Sequence, residues 1–146
     1  MSTKFPRSPY DTIHGLVYFL RMIDKIRLHA AGVLGGDYVA NLGIHFDHRC
    51  CTFLGIDYAE LTAAVRSGLS DEEAWDWAAR HGTAPTEEQI EIWNAFMTKR
   101  GWRDEGTASL RHRLLEGGFE KRTDIQTTFD YIDLDEGRPL RAVPAA

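Results

Sequence analysis

The chain has 146 residues, 43% hydrophobic and 11% aromatic with only 5 prolines, which fits one ordinary globular domain and excludes a disordered or linker-rich chain. A formal charge of −5 gives a nucleic-acid role no global electrostatic support. The adjacent Cys50 and Cys51 exclude a secreted disulfide framework. Residues 1–7 carry no apolar signal core and no later run is long enough to span a membrane, so a cytoplasmic chain without membrane contact is expected.

In chain order, residues 1–9 read as an extended, proline-containing lead-in. Apolar residues then recur at Ile13, Leu16, Val17, Leu20 and Ile23, and at Phe19, Met22 and Ile26. That stripe predicts a first helix ending near Ala31, with Gly32 as its stop. After a loop at Gly35-Gly36-Asp37, a second helix is expected from about Leu42 to Leu54, capped by Gly55. Asp57 with Glu60, and Ser70 with Glu73, form two capping boxes that open the third and fourth helices; Ile56–Leu61 and Leu69–Ala74 are their staples. Those helices close at Gly68 and Gly82.

Pro85 and Thr86, followed by Gln89, open a fifth helix with Ile90, Trp93, Phe96 and Met97 as its buried stripe and Gly101 as its end. A shorter helix is expected at Ser109–Glu116 and a last one from Thr123 to about Leu134. Residues 136–146 read as a frayed tail. No stretch alternates with period two. The fold class expected is therefore all-α, one domain over 1–146 built as a single compact irregular bundle of six or seven helices.

Charge is uneven along the chain. Residues 1–50 hold six Lys/Arg against four Asp/Glu and four of the six histidines, while 51–100 hold four basic against nine acidic residues. Within the first helix, His14, Tyr18, Arg21, Lys25 and His29 (or Leu28) follow at spacings that put them on one face. Arg21 and Lys25 are like charges four apart, which is destabilising unless something anionic lies between them. The functional reading is an anion site, with Arg21 and Lys25 holding a carboxylate or phosphate and Tyr18 or a histidine as proton donor. The structural reading is a solvated face with one Asp24–Arg27 pair.

A second cluster, His45-Phe46-Asp47-His48-Arg49-Cys50-Cys51, offers metal-ligand types, yet His45, Asp47 and Cys50 point in different directions on a helix. A further ligand would have to come from His14 or His29. Cys50 reads as core, and Cys51 as the better candidate for a reactive thiol. In the third region, Lys99 and Arg100 suit a helix C-terminus, and Trp102 with Arg103 suits the wall of a pocket.

The runs R-M-I-D-K-I-R-L-H at 21–29, N-L-G at 41–43, F-D-H-R-C-C-T-F-L-G-I-D-Y at 46–58, S-D-E-E at 70–73, W-N-A-F-M-T-K-R-G-W-R-D at 93–104 and D-I-Q-T-T-F-D-Y-I-D-L-D-E-G-R at 124–138 resemble the bacterial domain of unknown function 5069 family. The resemblance spans nearly the whole chain, from about Phe5 to Arg138. It implies one compact bacterial domain and brings no activity with it. The distinctive positions fall at Arg21, Asp24, Lys25, Arg27, Asp47, Arg49, Cys50, Lys99, Arg100, Trp102 and Arg103.

The leading expectation is a binding protein for an anionic small molecule, or an acid–base enzyme of lyase or isomerase type, since neither a Ser-His-Asp pattern nor paired carboxylates indicate a hydrolase. Its catalytic candidates are Tyr18, His14, His29 and Asp47; its substrate-binding candidates are Arg21, Lys25, Arg49, Trp102 and Arg103; it needs no cofactor or metal. The alternatives are a non-catalytic interaction or homo-oligomerisation module, a homodimer for instance, and a metal protein using His, Asp and Cys side chains of residues 14–51.

Overall fold

A computed structural model describes residues 2–141. These residues are mostly helical, with eight helices and one two-stranded ribbon among them. The chain divides into two compact units, Met1–Glu91 and Ile92–Ala146.

The first unit begins with a lead-in whose Lys4 N–H donates to the Val33 carbonyl at 2.9 Å. Strands β1 (Thr12–Ile13) and β2 (Leu16–Val17) then pair antiparallel, Thr12 opposite Val17 and Ile13 opposite Leu16. The first helix was expected to cover this stretch. Instead, His14 (φ 49°) and Gly15 (φ 82°) make a two-residue turn with both residues left-handed, the geometry that matches the twist of a tight hairpin. The spacing Ile13, Leu16, Val17 satisfies a helical template and a short ribbon alike, so periodicity alone does not separate them.

Helix α1 (Phe19–Ala30) is central to this unit. It packs against α4 (Tyr58–Arg66), α5 (Asp71–His81) and β1. Phe19, Met22 and Ile23 are fully buried, and the Phe19 ring meets Trp75 of α5 edge-on at 5.5 Å. A short helix, α2 (Gly36–Val39), occupies the expected loop. The expected second helix is shorter than its pattern: α3 runs Phe46–Leu54 and ends at the left-handed Gly55.

Caps place the next helices. The Asp57 carboxylate accepts the Glu60 N–H at 3.0 Å. Ser70 and Glu73 make the reciprocal box, at 3.2 and 3.0 Å, and Thr86 with Gln89 makes another, at 3.2 and 2.8 Å. Each satisfies backbone donors that the first helical turn leaves unpaired.

Helix α6 (Glu87–Lys99) leads into the second unit, which continues with α7 (Thr107–Glu116) and α8 (Thr128–Asp135). Trp93 and Met97 are buried as expected, whereas Phe96 is 39% exposed. The last helix starts later than its expected Thr123, because Thr127 caps it by accepting the Asp130 N–H at 3.2 Å. Leu110, Leu114 and Ile125 form a small core with Phe119, Tyr131, Leu134 and Leu140 packed against it. The expected frayed tail begins instead with order: the buried Asp133 and Glu136 both accept from Arg138, at 3.2 and 2.5 Å. The rest of that tail, 142–146, lies outside the described residues.

Candidate functional site

The first unit buries a polar centre made from two helices and the residue that precedes α1. Tyr18 sits at φ 80°, a conformation costly for a side chain of this size. From there its hydroxyl donates to Asp47 Oδ1 at 2.7 Å. The Lys25 ammonium lies 2.7 Å from the same oxygen and 3.1 Å from the Tyr18 hydroxyl. The other carboxylate oxygen, Oδ2, accepts the Gly43 N–H at 3.0 Å. Asp47 is completely buried, and Tyr18 and Lys25 are nearly so.

Local sequence explains how Asp47 reaches this position. Residues ahead of α3 turn sharply, with Gly43 at φ 77° and His45 at φ 55°, ψ −120°. A Cβ on Gly43 would stand 2.7 Å from the Tyr58 ring, so only glycine admits that packing. Phe46 meets the Tyr18 ring edge-on at 5.7 Å. Two strained non-glycine residues, Tyr18 and His45, thus flank one buried carboxylate.

Electrostatics follow from burial. Desolvation, followed by the negative charge of Asp47, pushes the Tyr18 hydroxyl well above its ordinary range, against an opposing pull from Arg21. Tyr18 therefore stays a proton donor at neutral pH. Burial and Asp47 likewise raise Tyr58. Burial lifts the Cys50 thiol well up, and lifts Cys51 to about 12. Cys51 donates to Met22 Sδ at 3.8 Å and is buried, so the expectation of a reactive thiol there is corrected.

The face expected of α1 is partly kept. Arg21 and Lys25 are one turn apart on it and both are buried, and a carboxylate, Asp47, indeed sits against Lys25. Arg21 donates to the Arg7 carbonyl at 3.1 Å and lies over the Tyr38 ring at 5.9 Å. Tyr18 joins the pair from outside the helix. His14 belongs to the hairpin turn, where Nε2 is 2.7 Å from Glu72 and the ring stacks on Trp75 at 5.6 Å. His29, His45, His48 and Arg49 are exposed. His45 precedes α3, so it does not share a helical face with His48 as expected. Trp102 and Arg103 belong to the second unit. Among the described residues no group of three or more His, Cys, Asp or Glu side chains is placed to hold a metal ion.

A neighbouring ion-pair network was only partly foreseen. The Asp24–Arg27 pair is present at 3.3 Å, but its main partner is Arg7, whose guanidinium forks onto Asp24 at 2.9 Å and onto Asp71 at 2.8 and 2.9 Å. Arg27 also reaches Asp71, at 2.7 Å, and the Leu69 carbonyl at 3.0 Å. The network ties the lead-in, α1 and the start of α5 together. Sequence reading did not find Arg7, Asp71, Gly43 or Tyr58. Gly43, Tyr58 and Asp71 lie inside the runs that carry the family resemblance, whereas Arg7 carried no local signal.

A mostly helical fold around a buried Tyr–Lys–Asp centre is the class of protein these features define. The chain belongs to the family described as domain of unknown function DUF5069, whose model matches residues 3–138. No curated protein matches it by sequence.

Proposed function

We propose that this chain is a small-molecule-binding protein whose ligand is an anion, a carboxylate or a phosphate, received at the Tyr18–Lys25–Asp47 centre beside Arg21. The reaction class for which the centre is equipped is proton transfer of the lyase or isomerase type. Tyr18 is the proton donor, Asp47 the acceptor, and Lys25 with Arg21 stabilises negative charge on the ligand.

The supporting observation is the buried carboxylate itself. Asp47 takes Tyr18 and Lys25 at 2.7 Å each, between two non-glycine residues at positive φ. Burying an ion pair contributes little net stability, because desolvation offsets the attraction. Strained backbone beside it adds further cost. Ionisable groups concentrated under such conditions are how proteins tune proton transfer. In the present arrangement Asp47 occupies the place beside Lys25 that a ligand anion would take. Entry therefore requires the turn carrying Gly43 to move.

The test is thermal denaturation with inorganic phosphate and a panel of small mono- and dicarboxylates. Wild type is expected to be stabilised by at least one of them in a saturable way. Tyr18→Phe and Arg21→Gln, each shown to be folded, are expected to lose that stabilisation. Equal stabilisation in the variants, or none in wild type across the panel, contradicts the proposal.

A further inference from the structure

The segment between α1 and α3 is held differently from the rest of the first unit. On one side of it Val33 and Leu34 are buried, and Leu34 pairs with Lys4; on the other stands the buried Asp47. Between these fixed ends none of residues 35–45 is buried. The segment turns its large aliphatic side chains to water, with Val39 37% and Ile44 46% exposed. Its hydrogen bonds run inward on itself. The amides of Tyr38, Val39, Ala40, Asn41 and Leu42 donate to carbonyls of the segment, and Asn41 Nδ2 donates to the Asp37 carbonyl at 3.0 Å. A stretch with local hydrogen bonds and little apolar burial opens at lower free energy than the fold around it.

Two contacts of this segment reach the residues assigned to the anion. The Tyr38 ring lies 5.9 Å from the Arg21 guanidinium, with Phe5 beside it at 6.3 Å, and the Gly43 N–H donates to Asp47 Oδ2 at 3.0 Å. Glycines mark the near end. Gly35 sits at φ −62°, ψ 151°, where any residue fits, and its Cβ would only touch the Tyr38 ring at 3.4 Å. A Cβ on Gly36 would meet nothing. Neither the turn nor the packing demands the pair, so what the two glycines supply is freedom to swing. At the far end His45 is held at φ 55°, ψ −120°, and opening of the turn releases that strain.

We propose that residues 35–45 are a lid over the Tyr18–Lys25–Asp47 centre, hinged at Gly35–Gly36 and at the Gly43–His45 turn, with Tyr38 and the Gly43 N–H as its two latches. Tyr38 covers the face of Arg21, and the Gly43 N–H holds Asp47 in its place against Lys25. Opening uncovers the guanidinium and frees a carboxylate oxygen in one event, so both ends of the centre become accessible together. Tyr38 is thus a positioning residue. That the lid admits an anion rests on the reading of the site given above; that it opens as one piece does not.

Amide hydrogen exchange of the full chain, followed by NMR without ligand and corrected for intrinsic rates, tests the lid. Gly43 and the amides of Tyr38 to Leu42 are expected to exchange at least about tenfold faster than those of Met22 to Ile26 in α1. Tyr38→Ala should speed exchange at Gly43 about threefold by removing the latch on Arg21. Gly36→Ala, a substitution with open space around it, should slow exchange at Gly43 about threefold by stiffening the hinge. Neither substitution is adjacent to Gly43 in the chain, so both effects report concerted opening. A Gly43 amide as slow as those of α1, or one whose rate either substitution leaves unchanged, overturns the lid. Inorganic phosphate and the carboxylate panel separate the two readings. Fast, coupled opening that none of these anions alters supports the lid and contradicts the anion site. A slow Gly43 amide beside saturable phosphate binding overturns the lid and leaves the anion site standing.

Discussion

At the scale of single residues, the decisive fact is that Lys25 is not available to solvent. Its ammonium is spent on Asp47 and Tyr18, and both partners are buried with it. Removing one charge of such a pair leaves the other stranded, which typically costs about 3–5 kcal/mol. Lys25→Met is therefore expected to lose stability of that order in urea unfolding. Lys25→Met combined with Asp47→Asn should recover part of the loss, because no uncompensated charge then remains inside. Full additivity of the two substitutions would contradict the pairing. The cysteines give a second residue-scale prediction. With Cys51 lifted to about 12 and Cys50 raised by burial, neither offers thiolate near neutral pH. Both should resist a thiol-specific reagent in the native protein and react promptly after unfolding; rapid native labelling of either would show that the packing around α3 is looser than described.

At the scale of elements, the helix starts marked by a local capping pair were legible in the sequence, and the others were not. Ser70–Glu73 and Thr86–Gln89 are local devices, complete within four residues, and each forms as its spacing implies. Ser70→Ala is expected to cost about 1 kcal/mol, read as a lower midpoint of thermal or urea unfolding. An unchanged midpoint would show that α5 is held wholly by packing. The β-ribbon was not legible, since Ile13, Leu16 and Val17 fit two periods over a stretch too short to choose between them. With the ribbon goes the expected start of α1, and His14 leaves the helix face for the hairpin turn, where it meets Glu72 of α5. The start of α3 was missed for a related reason. The apolar spacing from Leu42 onward continues through a turn that only Gly43 and a strained His45 permit.

At the scale of the whole molecule, sequence spacing gave the composition of the polar centre but not its geometry. Arg21, Lys25, Tyr18 and Asp47 were all candidates, yet Tyr18 meets Asp47 across 29 residues and Arg7 meets Asp71 across 64. Such pairings depend on tertiary packing, which no local pattern encodes. The Arg7–Asp24–Arg27–Asp71 network also predicts acid behaviour. Hydrogen bonding to Arg7 lowers the Asp71 carboxyl from 3.8 to about 2. A carboxyl lowered on folding stabilises the native state above its unfolded value, and that stabilisation is lost as pH falls through the folded one. Wild type should thus lose stability between about pH 4 and about pH 2. Asp71→Asn should be less stable near neutrality and flatter across that window. The effect is modest, because the Asp71 side chain is 37% exposed and solvent screens the pair. Parallel acid profiles for the two proteins would remove Asp71 from the account.

The proposed anion site at Tyr18, Lys25 and Asp47 is tested by following backbone amides by NMR during titration with inorganic phosphate and small carboxylates. The Gly43 N–H, bonded to Asp47 Oδ2 at 3.0 Å, is the reporter inside the centre. Its resonance is expected to shift saturably with one of these anions, and Arg21→Gln is expected to abolish the shift. A Gly43 resonance that stays fixed while exposed amides drift together would contradict it.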